Sequence, residues 1–182
     1  MIKDMIKIGI NLMLACVVGG TILAATNFIT ASKIEEVEKE AKLKARLSVL
    51  PKACEFKEFK QGFFEGLNSK GETVGYVISC MAEGYSGGFW VMAGVNKEFK
   101  IVKINVLSNK ETPGLGNKVE GEKFRNQYKN KGVENLEVVK TPTADKIQAI
   151  TGATISSKAV TEAVREGLEE LEKIVLRKEK KS

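Results

Sequence analysis

Twenty-nine lysines and arginines against 23 aspartates and glutamates give this chain of 182 residues a net charge of +6, on a composition that is 43% hydrophobic and contains no histidine. A chain of this length holds one soluble domain and one further element, and the absence of imidazole removes the commonest general base and metal ligand, excluding hydrolytic triads, most zinc sites and His-ligated haem. The positive balance does not point to nucleic acid, because lysines are interleaved with glutamates and no basic stripe carries aromatics.

Residues 1–7 read as a short N-terminal tail. No charged residue interrupts positions 8–29, and about 22 helical residues reach roughly 33 Å, enough to cross a hydrocarbon core. The expectation is a single transmembrane helix over residues 8–30. A cleaved signal peptide is the alternative, with Ala24-Ala25-Thr26 as its nearest cleavage sequence, although the run is longer than a usual apolar h-region. Cys16 follows Met13-Leu14-Ala15 as a lipid-attached cysteine would, but apolar residues continue well past it and favour a buried membrane cysteine. Lys3 and Lys7 precede the run, while Lys33, Lys39, Lys42, Lys44 and Arg46 follow it, so the distribution of basic residues does not place the N-terminus inside.

Residues 31–51 form the next predicted element, a stalk helix. Ile34, Val37, Ala41, Ala45 and Val49 share one side, charges occupy the other, and Pro51 ends the pattern. The stalk continues the membrane helix or leads it into the domain, which is expected over residues 52–176.

In that domain, β-branched and aromatic residues cluster over 73–81, 89–95 and 101–107 between glycine-rich or polar breaks, predicting three consecutive antiparallel strands with Asn96-Lys97-Glu98 turning the second hairpin. The loop Gly84-Tyr85-Ser86-Gly87-Gly88 between the first two is either a plain hairpin loop or a place where a ligand lies close to backbone. After the third strand comes Glu111-Thr112-Pro113-Gly114-Leu115-Gly116, whose Pro-Gly suits a type II turn; Leu115 either stands exposed to pack on a planar ring or tucks into the core. Phe124 and Tyr128, four apart, suggest a short helix over 119–128, and a further strand is expected over 136–139. Strands first and helix last make an α+β domain with an antiparallel sheet and packed helices. Cys16, Cys54 and Cys80 share no metal-ligand spacing, and free thiols are the default.

The last element is the plainest. Val160, Ala163, Val164, Leu168, Leu171, Ile174 and Val175 recur on one helical face, and Thr151-Gly152-Ala153-Thr154-Ile155-Ser156-Ser157 leads into it. Free amides and the positive end of the helix dipole near Thr154 favour an anion such as phosphate, while Gly152 and Ala153 leave room for it; the competing reading is an ordinary N-cap. Residues 177–182 read as a basic, solvated tail.

Taken in order behind one membrane helix, the 84–88, 111–116 and 151–157 sequences resemble the FMN-binding G subunit of Rnf-type membrane complexes, over nearly the whole chain. The chain is also similar to the C subunit of sodium-translocating NADH:quinone reductases. The resemblance implies FMN as cofactor, bound covalently through a phosphoester to the last threonine of Thr151-Gly152-Ala153-Thr154. It implies that Thr151, Gly152 and Ala153 shape the phosphate pocket, that Glu111, Thr112, Leu115 and Gly116 line the isoalloxazine, and that Tyr85 and Gly87 contribute to it. It further implies a flavin transferase for maturation, other Rnf-type subunits and membrane lipid as partners, and a domain on the outer face of the cytoplasmic membrane. The family usually has an aspartate six residues before the modified threonine, where this chain has Gln148 and places Asp145 three positions earlier. The implied activity is that of one relay in an ion-translocating oxidoreductase, passing electrons between reduced ferredoxin and NAD with Na⁺ or H⁺ movement. The isolated chain is expected to have no turnover, since it carries neither a Gly-x-Gly-x-x-Gly fingerprint nor a cysteine cluster for those substrates. A tethered module holding FMN or another phosphorylated ligand reversibly, and a structural assembly subunit, are the alternatives.

Overall fold

The computed structural model describes residues 2–84, 88–108 and 116–179. Two compact units divide the chain, Met1–Leu43 and Lys44–Ser182. One helix, α1 (Ile2–Val49), carries both the apolar run and the charged stretch after it, so the stalk expected over 31–51 is helical as far as Val49. In the first unit the stretch Ile6–Ala31 is long and apolar enough to cross a membrane, and none of it is covered by protein. Its threonine hydroxyls are satisfied within the helix: Thr21, Thr26 and Thr30 donate to the carbonyls of Val17, Ile22 and Thr26, as a span in hydrocarbon would require.

The second unit is built on an antiparallel five-stranded sheet in sequential order: β1 (Glu55–Lys60), β2 (Phe63–Leu67), β3 (Thr73–Glu83), β4 (Gly88–Val95) and β5 (Ile101–Ser108). The three expected strands are β3, β4 and β5, and the Asn96 side chain accepts from the amides of Glu98 and Lys100 to close their second turn. Strands β1 and β2 were not anticipated. After β5 the chain forms a 3-10 turn (Gly116–Glu120), a single helical turn α2 (Glu122–Arg125) and two more 3-10 turns (Asn126–Tyr128 and Val133–Asn135) in place of one regular helix. The strand expected over 136–139 is reduced to β6 (Val138–Val139), which pairs in parallel with β7 (Ile147–Gln148). The long helix α3 (Thr154–Glu179) closes the fold. This is the α+β architecture expected from the element order.

Side-chain alternation gives the sheet two apolar faces. On one, Ile78, Phe89, Val91 and Ile104 pack with Val160, Val164, Leu168 and Leu171 of α3, with Phe124 and Tyr128 at the margin. On the other, Phe64, Val77 and Met92 pack with Val49, Leu50 and Ala53 at and just beyond the end of α1. The direction of α3 follows from its contacts. Lys178 stands 4.2 Å over the Phe59 ring, which lies against Tyr76 near the start of β3, while Gly167 passes the Cys80 sulfur further along the strand. The N-terminus of α3 therefore points to the end of the sheet where β3 hands over to β4. Arg177 and Lys178 belong to the helix rather than to a tail.

Candidate functional site

The start of α3 is shaped by one turn. Ala153 donates its amide to the Ile150 carbonyl at 2.9 Å, closing a four-residue turn in which Gly152 takes the third position with φ +80°. A side chain is strained in that conformation, which is why glycine stands there. Thr151 and Gly152 are exposed, Ala153 is buried and Thr154, the first helical residue, is half-buried. No acidic residue occupies the first turn of α3, so no carboxylate of its own competes for the positive end of the helix.

Thr154, Ser156, Ser157 and Thr161 carry hydroxyls along this helix; Ser156 is buried, and the others are treated differently. Ser157 is fully buried; its Oγ donates to the Ala153 carbonyl at 2.9 Å and accepts the Ile150 amide at 3.0 Å. Thr161 donates to the Ser157 carbonyl at 2.8 Å. With that proton committed, the Tyr128 hydroxyl, 2.7 Å away, donates to Thr161. Burial pushes the Tyr128 phenol well above its ordinary range, with the Thr161 bond opposing it, so the chain of hydroxyls stays neutral and fixed. The Thr154 hydroxyl, by contrast, bonds to no other described residue.

The segment leading into the turn is held from a second side. Gln127 brackets the backbone of Gln148, its Oε1 accepting the amide at 2.7 Å and its Nε2 donating to the carbonyl at 3.3 Å. The backbone of Gln148 is thus fixed by β6 on one side and Gln127 on the other.

Of the residues expected at the site, Thr151, Gly152 and Ala153 lie in this turn and Thr154 directly follows it as the first residue of α3. Tyr85, Gly87, Glu111, Thr112 and Leu115 lie outside the described residues. Gly116 opens the 3-10 turn that packs against α3, and Gly84 and Gly88 flank the hand-over from β3 to β4 at the end toward which α3 points. Sequence reasoning did not find Ser157, Thr161, Tyr128 or Gln127. Only Ser157 left a trace, as a small hydroxyl residue within the first turn of a predicted helix. The Cys80 thiol, half-buried beside α3, is held protonated: burial, then Glu170 and Glu166, push it up to about 12.

Residues 84–169 match the family model of the FMN-binding domain, and residues 1–49 match the RnfG N-terminal region. The G subunit of the proton-translocating ferredoxin:NAD(+) oxidoreductase complex of Clostridium ljungdahlii is 32% identical over 164 residues, covering 88% of either chain. The G subunit of the Na(+)-translocating complex of Acetobacterium woodii is 36% identical over 185 residues, covering 89% of either chain. The crystal structure of NqrC from Shewanella oneidensis shares the fold, with a TM-score of 0.50 at 21% identity over 58% of this chain and 54% of that one. Fold and family match together define an FMN-binding domain behind an N-terminal apolar helix. The chain belongs to the family of G subunits of Rnf-type ion-translocating oxidoreductase complexes.

Proposed function

We propose that the chain is the flavoprotein relay of a membrane-bound Rnf-type complex, carrying FMN through a phosphoester bond on Thr154. The observation that carries this reading is the contrast among hydroxyls at the start of α3: Ser157 and Thr161 are committed to backbone, while Thr154 bonds to no other described residue and stands where a helix N-terminus favours phosphate charge. The residues present suit the group. Gly152 opens the backbone, Ala153 adds only a methyl group, and no first-turn carboxylate repels a phosphate.

In the attachment step the Thr154 oxygen attacks the FMN phosphorus of FAD. A P–O bond of the pyrophosphate breaks, AMP leaves, and the hydroxyl proton passes to a base of the flavin transferase. FMN supplies the redox chemistry once bound. The chain's own part is to fix the phosphate end at Thr154, to keep Thr151 and Gly152 from crowding it, and to place Glu111, Thr112, Leu115, Gly116, Tyr85 and Gly87 around the ring. Ferredoxin and NAD bind to other subunits, and the isolated chain has no turnover.

The apolar run anchors the protein as a single-pass span over residues 8–30, followed by the stalk at 31–51 and the flavin domain at 52–176 on the extracytoplasmic face, against membrane lipid and the other subunits. The relatives from Clostridium ljungdahlii and Acetobacterium woodii are named for proton and sodium translocation respectively, and coupling to one of these ions is the role of the assembled complex.

The test is expression with and without a flavin transferase, boiling in SDS, and inspection of the gel band for flavin fluorescence. The expected result is a fluorescent band that needs the transferase and is lost completely in Thr154→Ala. Flavin that binds the native protein but is released on boiling would replace this reading with reversible binding. A chain that takes up no flavin at all would leave only a structural role.

A further inference from the structure

The Ser157 hydroxyl sits at the centre of a closed ring of bonds. The Ile150 carbonyl accepts from the Ala153 amide, the Ala153 carbonyl accepts from Ser157 Oγ, and Ser157 Oγ accepts from the Ile150 amide. All three bonds are between 2.9 and 3.0 Å long, and Ser157 itself is fully excluded from solvent. A helix needs no such ring for its own stability, since an exposed serine at the cap would satisfy a free amide as well. What the ring fixes is the turn of Thr151 and Gly152 against the first turn of α3, and with it the position of Thr154.

We infer that Ser157 is a positioning residue for modification of Thr154: its buried hydroxyl clamps the 150–153 turn onto the start of α3, so that the acceptor oxygen is presented in one geometry. This rests on the covalent reading given above. Two neighbouring contacts support the clamp. Below it, the Tyr128–Thr161 pair fixes the Ser157 carbonyl, so the serine cannot rotate away with its turn of helix. Ahead of it, Gln127 fixes Gln148 two residues before Ile150. The segment that must enter the transferase is therefore held at both ends by this chain's own side chains, while its middle, at Thr151 and Gly152, stays exposed.

Removing the clamp leaves the Ile150 amide without its partner and the Ala153 carbonyl with only the Ser157 backbone amide, and it frees the turn. The fold keeps its core, because Val160, Val164, Leu168 and Leu171 do not depend on Ser157. The consequence belongs to the rate of attachment, not to recognition of the domain.

The experiment measures attachment of FMN from FAD to the full chain by a flavin transferase, followed as in-gel fluorescence and intact mass against time and acceptor concentration. Ser157→Ala is expected to lower kcat for attachment about ten- to a hundredfold, as expected for a misplaced reacting oxygen. KM for the acceptor chain should stay within about twofold of wild type. Ser157→Thr restores the hydroxyl and should restore the rate, and Gln127→Ala should show a smaller loss of the same kind. Ser157→Cys keeps a similar volume with a poor hydrogen-bonding group, and it serves where the alanine variant does not fold. Modification of either the alanine or the cysteine variant at the wild-type rate would overturn the inference while leaving the covalent reading intact. A rise in KM at unchanged kcat would also overturn it, because that outcome assigns Ser157 to docking. A wild-type chain that stays dark beside a transferase active on another acceptor would instead remove the covalent reading, and the inference with it.

Discussion

The two faces of the five-stranded sheet are closed in different ways. Against α3, bulky side chains interdigitate: Leu168 and Leu171 have no exposed surface, and they meet Ile78, Phe89 and Ile104, which have almost none. Against the end of α1, Val49, Leu50 and Ala53 pack on Phe64, Val77 and Met92, and glycines in the sheet let this segment approach closely. A Cβ built on Gly94 would collide with the Val49 carbonyl, and one on Gly66 would stand 2.6 Å from Leu50 Cδ2. The first face depends on volume being present, and the second depends also on volume being absent at Gly66 and Gly94. One carries α3, which starts at Thr154, and the other receives the last turns of the helix that contains the apolar span.

The largest expected effect is on the α3 face. Leu168→Ala should destabilise the domain by about 2–5 kcal/mol, the usual cost of a buried leucine truncated in a core that cannot collapse around the gap. Denaturant unfolding read through Trp90, the sole tryptophan, measures it. A loss under about 1 kcal/mol would mean that α3 packs loosely and that the distinction between the faces is false. On the α1 face the opposite change is the damaging one. Gly94→Ala adds a single methyl group against the Val49 backbone, which cannot move aside as a side chain would, and should cost about 1–3 kcal/mol. Hydrogen exchange distinguishes the two variants, since faster exchange should be confined to residues 45–50 in Gly94→Ala and should spread along α3 in Leu168→Ala.

This difference also explains what the sequence made legible. The α3 face is written as apolar spacing, and residues 160–175 and the strands β3 to β5 were recovered from it. The α1 face is written in glycines, whose reason is another segment's backbone, and no periodicity records that. Strand β1 alternates poorly because its residues are mostly exposed at a sheet edge and its pairing with β2 shifts register between Glu58 and Lys60. Strands β6 and β7, two residues each, are too short to show a period. At the start of α3, the sequence located the helix N-terminus near Thr154, because an unusual local composition sits directly before an amphipathic helix. It could not disclose the clamp. The bond from Ile150 to Ser157 crosses seven residues and that from Gln127 to Gln148 crosses 21, and both exist only once the turn is closed.

The smallest effect sharpens the comparison through pH. Cys80 lies on the α3 side of the sheet, and its thiol is raised from 9.0 to about 12, chiefly by burial and then by Glu170 and Glu166. The unfolded chain releases this proton above pH 9, whereas the folded chain holds it until about pH 12. The stabilising contribution is thus fully present below pH 9 and is lost as pH rises through the folded value. By pH 10 the loss from this thiol should be about 1 kcal/mol. Tyr128, on the same side and also raised by burial, adds to the decline at higher pH. Unfolding curves at pH 8, 9 and 10 should therefore slope downward in wild type and more gently in Cys80→Ala, in proportion to the thiol removed. An identical slope in the two proteins would show that water reaches the sulfur beside Gly167, and hence that the α3 face is not the dry, interdigitated layer on which the position of Thr154 depends.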